Sequence, residues 1–175
     1  TAQQTLIGSS NFTLSSQDIG GQLTLRHAYD AAGGQNISPQ LSWTNRPLGT
    51  KSFALTMHDV DAPTGSGWWH WVVFDIPGST RAIFANAGNP TKNLLPKGSI
   101  QSNTDAGKPG YNGPCPPEGH GFHPYIITIY ALKTNKLGLD QHASAAQVGF
   151  ILNNKAIGKA SIIAYYKRES NYAAK

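Results

Sequence analysis

The stretch HWVVFDIP, residues 70–77, decides the fold: behind one imidazole it runs through Trp71, Val72, Val73 and Phe74 without a polar break and ends at Pro77. β-Branched and aromatic residues in a short unbroken run predict a strand covered on both faces, as at the centre of a sandwich. HPYIITIYALK, residues 123–133, reads the same way. Around these two, FTLSS (12–16), QLTLRHAY (22–29), LSWTN (41–45) and KSFALTMHD (51–59) alternate, or nearly alternate, apolar with polar residues. That pattern predicts half-buried strands. DIGG (18–21) and AAGGQNISPQ (31–40) supply turns between them, and KASIIAYYKR (159–168) predicts a closing strand.

Composition agrees with a sheet protein. The chain has 175 residues, 39% of them hydrophobic, enough for one substantial core, so a single domain spanning residues 1–175 is expected. Charged residues make up 13%, against 19 Gly and 11 Pro, which suits short strands joined by turns better than long solvated helices. One helix is predicted from Ser144 to Ile157, with Ala145, Val148, Ile151 and Leu152 on one face and Gly158 as its stop. The segment from Gly78 to Gly121 shows no regular pattern, and a connection that long is expected to line something. The expected class is therefore mainly β, antiparallel sheets with one or two short helices.

The 14 Lys and Arg against 9 Asp and Glu give a formal charge of +5, which favours anionic partners in general. No basic run interleaved with aromatics exists, so a nucleic-acid groove is not expected. The apolar runs are far short of the roughly 20 residues needed to cross a bilayer, so no transmembrane segment is expected. Cys115 is the only cysteine, which rules out an internal disulfide and removes the redox clue to compartment. The chain starts at Thr1 with no Met and no apolar leader, a start that either removal of a signal peptide or trimming for expression would leave.

Four places set polar chemistry beside the strands. In HDVDAP (58–63), Asp59 and Asp61 flank Val60 before Pro63. Two carboxylates so spaced suit an acid–base pair, half a metal site, or a turn in which Asp bonds nearby N–H groups. In GSGWWHWVV (65–73), His70 follows Trp68 and Trp69 where a glycine-rich turn enters a strand, and it reads as a packed histidine or as a ligand group. In GFHPYII (121–127), His123 and Tyr125 are two apart, so strand alternation sends both to one face. GYNGPCPPEGHG (110–121) is a loop rigid at Pro and able to approach a ligand closely at Gly. Two His and one Tyr suit a small oxyanion, and Asp59 or Asp61 could orient a histidine.

SPQLSW (38–43), GTKSFALTMHDVDAP (49–63), WWHWVVFDIP (68–77), NTDAGKPGYNGPCPPEGHGFHPYIITIYAL (103–132) and the closing helix and strand resemble, in order, the phosphatidylethanolamine-binding protein family, particularly its bacterial branch. The resemblance spans about Phe12 to Lys167. It implies a β-sandwich with few helices and a small pocket at one end for phosphate and similar anions, without catalysis, cofactor or metal. Residue by residue it places ligand-binding roles on Asp59, Asp61, Pro63, Trp68, His70, Cys115, His123 and Tyr125. Two positions depart from the family pattern: Val60 stands for the usual Pro in Asp59–Pro63, and Pro124 for the usual Arg in His123–Tyr125.

The resemblance implies a binding or regulatory protein for a phosphomonoester, a phospholipid headgroup or a carboxylate, with inhibition of kinases or proteases through a protein partner as a looser implication. A competing class is a hydrolase with Cys115 as nucleophile and His70 or His123 as base, which needs sulfur within hydrogen-bond reach of an imidazole. A third is a metal site from Asp59, Asp61, His70 and His123, whose ligand types fit zinc or iron but in no familiar spacing. The start at Thr1 and the resemblance to exported relatives favour a periplasmic or secreted protein over a cytoplasmic one.

Overall fold

The computed structural model describes residues 11–170; Thr1, on which the leader reading rests, lies outside them. In chain order the elements are β1 Thr13–Ser15, β2 Leu41–Thr44, β3 Ser52–Asp59, β4 Trp68–Pro77, β5 Ala82–Ile83, β6 Ile100–Gln101, β7 His123–Leu132, α1 Ala145–Lys155 and β8 Ala156–Tyr166. Short 3-10 turns occupy Asp30–Ala32 and Pro90–Lys92. The strands form a three-stranded sheet, β1-β2-β5, and a five-stranded sheet, β6-β4-β3-β7-β8. Every pairing within them is antiparallel. This is the mainly β architecture with two antiparallel sheets that the strand patterns predict.

The unbroken apolar runs are explained by cover on both faces of the larger sheet. On the inner face, Phe53, Leu55 and Met57 of β3, Trp71, Val73 and Ile76 of β4 and Ile127 and Ile129 of β7 pack with Leu14 and Trp43 of the smaller sheet. Full burial of each such side chain stabilises the fold by roughly 1.5–3 kcal/mol. On the outer face, Ala54, Val72 and Phe74 meet Ala145, Val148 and Leu152 of α1. Ser144 caps that helix through a capping box, accepting from the Gln147 N–H while the Gln147 side chain accepts from the Ser144 N–H.

One irregularity of register bears on the site. Met57 pairs with Trp71, yet His58 pairs with Trp69, so two steps on β4 answer one on β3 and His70 is the extra residue of a bulge. The bulge shifts the inward phase of β4. Trp71 and Val73 face the inner core beyond it, while Trp69 packs on the outer layer before it.

Four sequence readings are corrected. KSFALTMHD, read as half-buried, forms β3, which is buried at every position but His58 because β4 and β7 flank it and both of its faces are covered. QLTLRHAY forms no strand: Gln22 makes a single bridge to Tyr165, and the chain then turns, with the N–H groups of His27 and Ala28 donating to the Thr24 carbonyl. The His27 ring fixes that turn by accepting from the Thr24 N–H at 3.2 Å, a local bond that overrides the alternation. The helix ends at Lys155, and Gly158 lies inside β8, which starts three residues earlier than predicted. The Gly78–Gly121 segment is not wholly irregular, since it contains β5, β6 and one 3-10 turn. Among the described residues no helix is long and apolar enough to cross a membrane.

Candidate functional site

Strand register brings the polar residues together. Asp59, the last residue of β3, pairs with Trp68 at the start of β4 on one side and with Tyr125 near the start of β7 on the other. Directly opposed residues share a face of the sheet, as do residues two apart on one strand. Asp59, Trp68, His70, His123 and Tyr125 therefore meet at one end of the inner layer. They line a pocket of about 410 Å³ whose remaining wall is Tyr29, Ala31, Ala62, Pro63, Thr64, Ala106, Asn112, Cys115, Pro116 and Pro117. Pro124 faces the opposite side of the sheet by the same alternation.

The hydrogen bonds fix which atom of each group is free. His123 donates from Nδ1 to Asp59 Oδ2 at 2.8 Å, with both residues 2% exposed. Asp59 Oδ1 accepts from the Asp61 N–H at 3.0 Å, so one carboxylate both closes the turn and orients an imidazole. The Nε2 atom of His123 lies 3.1 Å from His120 Nδ1, and His120 is exposed. His70 donates from Nδ1 to the Asn112 carbonyl at 2.5 Å, and the Asn112 N–H donates back to the His70 carbonyl at 2.9 Å. Because a carbonyl can only accept, Nδ1 carries the proton and neutral His70 keeps its lone pair on Nε2.

Electrostatics agree with that assignment. Burial pushes the His70 pKa down from 6.5 to about 4, against the raising pull of the Asn112 carbonyl and the Asp59 charge. Tyr125 sits edge-on to the His70 ring, with centroids 5.2 Å apart. Burial, reinforced by the nearby Asp59 carboxylate, drives its phenol well above the usual range, so the hydroxyl keeps its proton. That hydroxyl is buried near the Asp59 carboxylate but makes no hydrogen bond of ordinary length among the described residues.

Not every sequence candidate reaches the pocket wall. The Asp61 side chain is exposed and absent from the lining, and Asp61 contributes only its backbone N–H. Cys115 is exposed at the rim, where its sulfur accepts from Arg168 Nη1 at 3.9 Å, while Arg168 Nη2 pairs with Glu118 at 2.8 Å. His70 and His123 bond Asn112, Asp59 and His120, which leaves no Cys–His hydrogen bond among the described residues. Nor do three or more His, Cys, Asp or Glu side chains there gather as a metal-ligand set. A larger groove of about 550 Å³ around residues 87–101 has Lys97 as its only charged lining residue, so the titratable chemistry belongs to the smaller pocket.

Residues 14–167 match the family described as phosphatidylethanolamine-binding protein. The chain belongs to that family. Its relatives include YbcL of Escherichia coli, 44% identical over 160 residues that cover 89% of this chain and 87% of YbcL. YbhB of the same organism is 45% identical over 149 residues, 84% of this chain and 93% of YbhB. The crystal structure of YbcL, described as a new member of the mammalian family, superposes with a TM-score of 0.87 at 43% identity, covering 90% of this chain and 99% of that one. The structure of carboxypeptidase Y inhibitor bound to its cognate proteinase shares the fold, with a TM-score of 0.52 at 22% identity, over 90% of this chain and 83% of that one. A protein named putative lipoprotein LppC, from Mycobacterium tuberculosis, is 33% identical over 135 residues, 77% of this chain and 62% of LppC.

In this family member, sequence reasoning missed Asn112, His120, Tyr29 and Thr64. His120 stands three residues before His123 in a loop, a spacing that could have drawn attention. Asn112 left no signal, because it acts through its backbone, which every residue type possesses. Val60 is exposed, and the Asp59 side chain, bonded to the Asp61 N–H, holds the turn without the proline usual there.

Proposed function

We propose that this protein is a non-catalytic binding protein whose pocket takes a small anionic group, phosphate-bearing or carboxylate-bearing, such as a phosphomonoester or a phospholipid headgroup. Trp68, Pro63 and Cys115 frame the entrance, and His70, His123 and Tyr125 meet the anion. Asp59 and Asp61 hold His123 and the turn in place. One observation carries the reading: the Tyr125 hydroxyl is buried at the pocket wall and makes no ordinary hydrogen bond among the described residues. A buried donor without an acceptor costs about 1–3 kcal/mol, which a ligand oxygen would recover.

The pairing of Cys115 with Arg168 and the commitment of both imidazoles to other partners favour binding over a Cys115 hydrolase. A regulatory role through a protein partner is supported by the fold shared with carboxypeptidase Y inhibitor. A periplasmic or secreted location is supported by the similarity to the protein named a lipoprotein.

Titration with inorganic phosphate, followed by NMR of the imidazole rings, tests the binding reading. His70 and His123 are expected to shift ahead of His27 and His142. Equal shifts in all four, or none, would overturn it.

A further inference from the structure

Given the anion-site reading above, on which this rests, we propose that the pocket selects a phosphomonoester bearing one proton, and that a dianionic phosphate enters only with uptake of a proton. The deciding geometry is the pair of free groups. Tyr125 presents a hydroxyl that, among the described residues, lies near the Asp59 carboxylate without an ordinary hydrogen bond to any acceptor. His70, with Nδ1 spent on the Asn112 carbonyl, presents an acceptor at Nε2. The pocket lining contains no Lys or Arg. This donor beside this acceptor, with Arg168 outside the lining and held by Glu118 and Cys115, complements a group that carries both an acceptor oxygen and an O–H.

A singly protonated phosphomonoester has both. A carboxylate has an ordinary pKa near 4, so supplying its proton at pH 7 lowers the competent fraction by about a thousandfold. A phosphomonoester, with a second pKa of about 6, loses only about tenfold. A phosphodiester, such as the phosphate of an intact lipid headgroup, has no such proton to give. Whether the shared proton sits on the ligand oxygen or on Nε2, one proton is taken up for each dianion bound. Burial, which holds the free His70 neutral at physiological pH, leaves that proton to be brought in with the ligand.

The groups facing His70 also titrate or carry charge. Asp59 and His58 come from β3, Asp105 from the segment before β7, and Cys115, His123 and Tyr125 stand around the pocket. Protonation of the His120–His123 pair would also favour an anion, so the test separates that source from His70.

Calorimetry with phenyl phosphate at pH 7.5, in two buffers of different ionisation enthalpy, counts the protons. About one per ligand is expected. From pH 6.5 to 8.5 the affinity is expected to fall roughly fifty- to a hundredfold, following the ligand's second ionisation. Benzoate and methyl phenyl phosphate are expected to bind at least about tenfold more weakly than phenyl phosphate at pH 7. In the His70→Gln variant, whose side-chain amide can turn to donate, the slope above pH 7 is expected to flatten. A slope retained there would assign the proton to His120–His123 and overturn the proposal. Should that variant not fold, the proton count on the wild-type chain decides alone. Binding of phenyl phosphate with no proton uptake, or glycerophosphoethanolamine binding more tightly than the monoester, would overturn the proposal while leaving the anion-site reading intact. Absence of binding by every anion across this pH range would overturn both.

Discussion

His70 and Asn112 hold each other by two hydrogen bonds, one from the Asn112 N–H to the His70 carbonyl at 2.9 Å and one from His70 Nδ1 to the Asn112 carbonyl at 2.5 Å. The pair fastens the long connection before β7 to the bulge of β4 and fixes the His70 tautomer. Neutral burial of this ring has a thermodynamic sign. The pKa is about 4 in the folded state against 6.5 for the exposed ring, so the unfolded chain binds more protons between those values. The associated stability is fully present above about pH 6.5 and is lost as pH falls towards about 4, amounting to about 3 kcal/mol.

Urea denaturation at pH 7.5, 5.5 and 4.0 should therefore show falling stability, and the His70→Gln variant a drop smaller by about 2–3 kcal/mol. His27, whose pKa burial also lowers, should leave the variant some residual slope of the same sign. Equal slopes in the two proteins would mean that His70 is not held neutral.

Asp59→Ala removes the acceptor of both the His123 Nδ1–H and the Asp61 N–H. A loss of about 2–4 kcal/mol is expected by chemical denaturation, because a buried donor is left unpaired. In Asp59→Asn, the amide can present its NH₂ to His123, which should move the His123 proton to Nε2. Long-range ¹H–¹⁵N correlation reads the tautomer directly, and an unchanged ring would contradict the assigned geometry.

Gly67 enters β4 at φ +73°, and a Cβ there would stand 2.4 Å from the Asp59 carbonyl oxygen. Gly67→Ala is expected to cost about 1–3 kcal/mol and to weaken anion binding by displacing Asp59. Gly65→Ala, where a Cβ meets nothing within 4 Å, is the control and should be close to neutral in thermal melts.

Cys115 should react slowly but measurably with a maleimide in the folded protein, since it is exposed at the rim. Saturating phenyl phosphate should slow the labelling, and labelled protein should lose anion binding, both followed by mass spectrometry and calorimetry. A rate indifferent to the ligand would remove Cys115 from the proposed site.

Sequence alone marked β4 and β7 as buried strands and singled out most of the polar residues that line the candidate pocket, but it read KSFALTMHD as half-buried where β3 is the middle strand of the larger sheet. HWVVFDIP and HPYIITIYALK read correctly because cover on both faces demands an apolar side chain at nearly every position, a property local enough to see in one dimension. α1 was legible through its apolar stripe, which a single helix face carries locally, whereas its Ser144 cap emerged only with the structure. QLTLRHAY misled because Thr24 and His27 close a turn by bonds that alternation does not encode. Gly158 misled because glycine in an edge strand and glycine after a helix look alike in sequence.

Tertiary structure alone decided what the polar residues face. His123 and Tyr125 share a face by alternation, but only the register of β3 between β4 and β7 brings them to Asp59, Trp68 and His70. Only the bulge puts His70 and Trp71 on the inner layer together, where a strict two-residue period would have separated them. The free Nε2 of His70 follows from a backbone carbonyl 42 residues away. No residue type announces that, since every peptide unit offers the same oxygen and only folding decides which one an imidazole meets.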